Sequence, residues 1–172
     1  DILLVDDEVQ AGNGRTGTLY AYMQYGFTPD IMSTAKGLGG GLPIGACLMG
    51  EKVQDTMGAG THGSTFGGNP AVCAGALNIL SRIDGKLLAD VKAKGEYIVK
   101  ELSGAPGVKG ISGKGLMIGI ETEKSAGDVL AECMANGVLV LTAHGKVRLV
   151  PALNIPMELV EKAVAVIKAA CA

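Results

Sequence analysis

The chain has 172 residues, 48% hydrophobic and 19% charged, the balance of a globular protein long enough to bury a core without metal or disulfide staples. Fifteen basic side chains against seventeen acidic ones leave a net charge of −2, with no basic excess to neutralise phosphates, so nucleic-acid binding is not expected. No apolar run reaches the roughly 18 residues of a transmembrane helix, so no membrane association is expected.

Glycine is abundant, at 27 residues, while aromatics make up 3% and Trp is absent. Without a G-X-Y period, so much glycine marks backbone positions with special angles or close approach, and the scarcity of aromatics leaves no platform for stacking bases. Cys47, Cys73, Cys133 and Cys171 lack C-x-x-C spacing and sit among apolar neighbours, which predicts reduced, buried thiols and a cytoplasmic protein. The first residue is Asp1, with no basic-then-apolar leader, and an apolar strand follows at once. Such an opening reads as the middle of a fold, and a fragment is expected.

In chain order, Ile2-Leu3-Leu4-Val5 is a continuous apolar run ending at Asp6-Asp7-Glu8, the pattern of a central parallel strand with charges at its carboxyl end. A loop at 12–17, a short helix over 19–25 closed by Gly26, and a strand at 31–33 follow. A glycine-rich loop at 37–43 leads to a strand over 44–49, a short helix over 51–57 and a second glycine-rich loop at 58–68. Asn69-Pro70 opens a helix running to about residue 83, with Val72, Ala76, Ile79 and Leu80 on one face. Another helical period covers 86–102. Beyond it, strands at 116–121, 138–141 and 147–150, a helix near 128–136 and a last helix after Pro156 make a compact α+β unit. The domain boundary is placed near residue 85, dividing the chain into 1–85 and 86–172.

Among motifs, Gly12-Asn13-Gly14-Arg15-Thr16-Gly17 matches the dinucleotide fingerprint in form only. Acids precede it, the following helix is short, and no second strand ends in an acid at the required distance. Lys36 is more informative, as the only charged side chain between Asp30 and Glu51. A desolvated ammonium there becomes a usable amine nucleophile, as in Schiff-base lysines; the alternative is a lysine snorkelling from a strand end. Asp7 lies where ligands of open α/β sheets bind and needs a positive partner, Lys36 or a cationic cofactor atom, unless it merely caps a helix or is solvated. Arg148 interrupts an apolar strand, where a buried guanidinium wants a carboxylate, from a ligand or from an edge-strand partner. Gln10 and Thr65 are weak signals alone. His62 and His144 lack metal-ligand spacing and are read as polar loop residues, and no metal site is expected.

Taken together, Leu3-Leu4-Val5-Asp6-Asp7-Glu8-Val9-Gln10, the glycine segment at 12–17, Ser33-Thr34-Ala35-Lys36-Gly37 and the following Gly39-Gly40-Gly41-Leu42-Pro43-Ile44-Gly45-Ala46 resemble the class III pyridoxal-phosphate aminotransferases. His62-Gly63-Ser64-Thr65-Phe66-Gly67-Gly68-Asn69-Pro70 and Arg148-Leu149-Val150-Pro151-Ala152-Leu153 continue the resemblance in the same order, so that it covers essentially the whole chain. It is greatest to members acting on N-acetylornithine.

The resemblance implies an α/β fold, the type I fold of pyridoxal-phosphate-dependent transferases. Residues 1–85 would form the C-terminal part of the large cofactor-binding domain, with its mostly parallel sheet, and 86–172 the small α+β domain. It implies pyridoxal 5'-phosphate as cofactor, held covalently by Lys36, which would then shuttle a proton as the free amine. Asp7 would pair with the pyridine nitrogen, Gln10 would hydrogen-bond the ring's phenolic oxygen, and Thr65 would reach the phosphate of the neighbour's cofactor across a homodimer. Arg148 would grip the α-carboxylate of N-acetylornithine and of glutamate or 2-oxoglutarate. The implied reaction moves the δ-amino group to 2-oxoglutarate, a step of arginine biosynthesis. The upstream half of such an enzyme is missing, so the isolated chain is expected to be inactive. The competing readings are another ω-aminotransferase, for ornithine, succinylornithine or 4-aminobutyrate, and a non-catalytic assembly fragment.

Overall fold

A computed structural model describes residues 2–172, which form two compact units, one through Leu88 and the other from Ala89. In the first, strands β1 (Val5–Asp7), β2 (Ile31–Thr34) and β3 (Ala46–Met49) form a sheet in that order, β1 parallel and β3 antiparallel to β2. The chain goes from β1 to β2 through the 12–17 loop and a 3-10 turn, Ala21–Gln24, ended by Gly26 at φ 72°. A second 3-10 turn, Lys36–Gly39, follows β2.

Helix α1 (Pro70–Leu80) starts as the sequence predicts: the Asn69 side chain accepts from the amides of Ala71 (3.0 Å) and Val72 (3.3 Å), and Pro70 takes the first turn. It packs on the Lys36 turn closely enough that a Cβ at Gly40, at φ 58°, would lie 2.6 Å from Ile79 Cδ1. Helix α2 (Gly85–Leu102) begins in this unit, with the Asp84 side chain accepting from the Leu87 amide at 2.8 Å.

The second unit carries the rest of α2, strands β4 (Val108–Lys114), β5 (Met117–Thr122), β6 (Leu141–Ala143) and β7 (Lys146–Leu149), and helices α3 (Ala126–Ala135) and α4 (Met157–Cys171). Its sheet, ordered β4-β5-β7-β6, is antiparallel throughout. Alternation along β5 and β7 sends Ile118, Ile120, Val147 and Leu149 into a core closed by α2, α3 and α4, where Val91, Leu102 and Val129 are fully buried.

Four local expectations are corrected. The first strand is not the apolar run itself: pairing with β2 carries it into the acids (Val5 with Ile31, Asp7 with Ser33), while Ile2, Leu3, Leu4 and Val5 are exposed. Residues 51–55 form turns rather than a helix: the Val53 and Gln54 amides both donate to the Gly50 carbonyl (3.0 Å each) and the Thr56 amide donates to Val53 (3.1 Å), without a continuing helical ladder. The strand expected at 138–141 lies instead at Leu141–Ala143, where the two-residue turn His144-Gly145, at φ 50° and 77°, sets its register with β7. The cysteines are all free, but only Cys133 and Cys171 are buried; Cys73 is partly exposed and Cys47 exposed. No helix among the described residues is long and apolar enough to cross a membrane, and no group of three or more metal-ligating side chains among them could hold a metal ion.

Candidate active site

Parallel strands end on the same side of a sheet, so β1 and β2 deliver the residues after them to one place. Asp7 is the last residue of β1, and Lys36 stands two residues past the end of β2. Asp7 Oδ1 accepts from the Val9 amide at 3.0 Å and from the Ser33 hydroxyl at 3.1 Å. These two bonds, helped by the positive charge of Lys36, hold its carboxyl below the usual carboxylate range against a smaller opposing effect of desolvation. Asp7 is therefore an exposed, oriented anion at neutral pH.

Lys36 opens its 3-10 turn at φ 49°, a left-handed conformation that is unfavourable for a residue with a Cβ. Its side chain is exposed, so the burial that the sequence reading assigns to it is absent from this chain. The carbonyl just before it, Ala35, accepts from the Asn13 side-chain amide at 3.1 Å and from the Leu38 amide at 3.1 Å. Asn13 also donates to the Thr34 hydroxyl at 3.0 Å.

Glu8, the residue after Asp7, is 1% exposed, with Oε1 accepting from the Tyr22 amide at 2.9 Å and Oε2 buried without a partner. Burial, assisted by Asp6, raises its pKa, and the Tyr22 and Ala21 amides only partly offset this. The Glu8 carbonyl accepts from the Gly12 amide at 2.9 Å, and a Cβ at Gly12 would stand 2.7 Å from that oxygen. Glycine is thus required where the loop folds back on the end of β1.

Gln10 is exposed in the turn after β1, and Thr65 is exposed in the 58–68 loop. The structure brings Asp7 and Lys36 into one electrostatic neighbourhood and places Gln10 three residues after Asp7. Arg148 belongs to the second unit. It stands in β7 between Gly119 of β5 and Leu141 of β6, on the sheet face opposite Val147 and Leu149, and is half-buried rather than buried as expected. With Leu141, Val150 and Leu159 it lines a mainly apolar cavity of about 600 Å³.

Glu8, Asn13 and Ser33 were not singled out from sequence. An asparagine between two glycines is a signal for a left-handed backbone, and Asn13 adopts it at φ 56°.

The model of the class III aminotransferases matches residues 1–171. The chain belongs to the class III aminotransferases. It is 50% identical over 169 residues to the acetylornithine aminotransferase of Haemophilus ducreyi, covering 97% of this chain and 43% of that protein. To the corresponding protein of Aquifex aeolicus it is 41% identical, covering 98% and 44%. Among solved structures of this class III family, acetylornithine aminotransferase from Elizabethkingia anophelis superposes with a TM-score of 0.90 at 33% identity, over 99% of this chain and 45% of that one. Ornithine aminotransferase from Toxoplasma gondii gives 0.90 at 36%, over 98% and 43%. The expected α/β transferase fold is borne out, and the chain spans less than half the length of the relatives it matches.

Class III aminotransferases depend on pyridoxal phosphate, and the residues present fit that group. Asp7 is a fixed anion suited to a protonated pyridine nitrogen, and Lys36 supplies an accessible primary amine within its field.

Proposed function

We propose that this chain holds the lysine, the ring-binding carboxylate and the substrate arginine of an aminotransferase that moves the δ-amino group of N-acetylornithine to 2-oxoglutarate, in arginine biosynthesis. The observation that carries the reading is Asp7, bonded by Val9 and Ser33, at the carboxyl ends of two parallel strands with Lys36 two residues past the end of the second. Bound pyridoxal phosphate supplies an electron sink for the carbon that loses its proton. Lys36 holds the cofactor and, when its amine is free, moves that proton. Asp7 keeps the ring nitrogen protonated, and Gln10 donates to the phenolic oxygen.

Arg148 grips the α-carboxylate of N-acetylornithine, glutamate and 2-oxoglutarate with its two-pronged guanidinium. Its half-exposed place beside an apolar cavity supports a role toward a ligand. Thr65 reaches the phosphate of a neighbouring protomer's cofactor in a homodimer, a reading supported by its exposure in the 58–68 loop. Residues 1–85 serve as part of the large cofactor-binding domain and 86–172 as the small domain, in a cytoplasmic enzyme. The chain alone is inactive, a reading supported by relatives more than twice its length and by the exposure of Lys36, Asp7, Gln10 and Thr65.

The test is a set of half-reactions. The full-length protein, loaded with pyridoxal phosphate, is mixed separately with N-acetylornithine, ornithine, succinylornithine and 4-aminobutyrate. The fastest conversion with N-acetylornithine, reversed by 2-oxoglutarate with release of glutamate, supports the assignment. Preference for another donor moves the protein within the ω-aminotransferases, and no conversion with any donor refutes the reading.

A further inference from the structure

We propose that Asn13 is a positioning residue for Lys36: its side-chain amide clasps the carbonyl of Ala35 and so holds the lysine turn in the left-handed conformation from which the amine is presented at the carboxyl ends of β1 and β2. The inference rests on Lys36 being the cofactor-binding amine.

Lys36 at φ 49° is in a conformation that persists only when its surroundings over-determine it. The residues on its N-terminal side show how. Asn13 is 5% exposed and Thr34 2% exposed, and the Asn13 Nδ2 donates to both Thr34 Oγ1 (3.0 Å) and the Ala35 carbonyl (3.1 Å). Those two acceptors fix the orientation of the amide, because the flipped form would set its oxygen against the Ala35 carbonyl. The orientation is kept although it leaves Oδ1 buried without a partner. Asn13 itself sits at φ 56°, which Asn tolerates better than most residues. Its loop is seated on the exit of β1 by the Gly12 to Glu8 bond, and Gly37 lies against it, since a Cβ there would stand 3.4 Å from Asn13 Cβ. One buried side chain thereby ties the loop after the Asp7 strand to the turn that carries Lys36.

The substitutions Asn13→Asp, Asn13→Gly and Thr34→Val separate the contacts. Asn13→Asp keeps the shape and the backbone preference, and as the carboxylate it has no proton to donate to Ala35, so it is compared above and below its own titration. Asn13→Gly keeps the left-handed freedom and removes the amide, guarding against a variant that fails to fold. Thr34→Val removes one acceptor and leaves the Ala35 bond. In the full-length protein, borohydride trapping of pyridoxal phosphate on Lys36 is expected to slow about tenfold in both Asn13 variants and less than about twofold in Thr34→Val. The pH midpoint of the absorbance of Lys36-bound cofactor moves in Asn13→Gly, which adds no charge near the lysine, whereas a merely structural loss would leave it unchanged. Hydrogen exchange at the Leu38 amide, which shares the Ala35 carbonyl, accelerates by about the same tenfold factor.

Unchanged trapping in both Asn13 variants with an unchanged midpoint in Asn13→Gly, or equal damage from Thr34→Val, would overturn the inference. If the unsubstituted protein does not label Lys36, the aminotransferase reading itself has failed. Exchange at Leu38 then decides the clasp alone: acceleration in Asn13→Asp upholds it, and unchanged exchange overturns it.

Discussion

The Ser33 hydroxyl donates to the Asp7 carboxylate at 3.1 Å across a parallel strand pair whose register sets these two residues opposite each other. The bond joins two consequences of one topology. Parallel pairing places Ser33 beside Asp7, and the turn that follows β2 then brings Lys36 into the same field.

The charge state of Asp7 gives the first prediction. Its carboxyl titrates below the ordinary value of 3.8, so the anion, and any stability it confers, is complete above that pH and is lost as pH falls through the lower, folded-state value. Ser33→Ala removes one of the two bonds, raises that value, and moves acid release of pyridoxal phosphate to higher pH. Asp7→Asn weakens cofactor binding about ten- to a hundredfold at neutral pH, as expected for a charge-assisted bond. Absorbance titration of the full-length protein measures both, and equal affinity in Asp7→Asn would contradict the role.

Glu8 titrates in the opposite direction. With its folded pKa raised above 4.5, the folded state binds more protons than the unfolded one in the window above that pH, so stability falls as pH rises through the folded value. Glu8→Gln keeps an acceptor for the Tyr22 amide and removes the titration, so its unfolding curve loses this dependence and is no less stable at neutral pH. Glu8→Ala leaves that amide unpaired and costs about 1–3 kcal/mol. Denaturant unfolding at several pH values distinguishes the two.

Gly95 lies inside α2, where helix propensity alone favours Ala by about 1 kcal/mol. A Cβ there would stand 2.2 Å from the Gly115 carbonyl oxygen at the β4–β5 turn, and backbone cannot swing aside as a side-chain tip does. Gly95→Ala is therefore expected to destabilise the second unit by about 1–3 kcal/mol, the overpacking range, and a rise in thermal midpoint would contradict this.

Arg148 carries a prediction about substrate. Arg148→Lys keeps the charge but loses the two-pronged grip, so KM for 2-oxoglutarate should rise about tenfold with a smaller change in kcat. Steady-state kinetics of the full-length protein provide the check, and an unchanged KM would remove Arg148 from the substrate contact.

Much of this arrangement was legible in the sequence because the relevant signals are local. Asn69-Pro70 starts α1 where capping chemistry places it. The isolation of Lys36 among apolar and glycine residues singles it out in the sequence, although the side chain is exposed and the desolvation that this reading invokes is absent. What was illegible depends on pairing between distant segments. Strand β4 contains Gly110, Gly113 and two lysines and lacks an apolar alternation; it exists because β5 supplies its hydrogen-bond partners. The first strand was misplaced because hydrophobicity marks Ile2 to Val5, whereas register with β2 selects the following acids. Asn13 was passed over as part of a glycine loop, since its partners Thr34 and Ala35 lie more than twenty residues away.

The central claim is that Lys36 is the cofactor amine, and the most direct measurement is the position of a covalent label. The full-length protein is incubated with pyridoxal phosphate, reduced with borohydride, digested and mapped by mass, beside Lys36→Arg. The account predicts one modified peptide, carrying the label on Lys36, and its loss in the variant. Label spread over other lysines, or retained in Lys36→Arg, would contradict it.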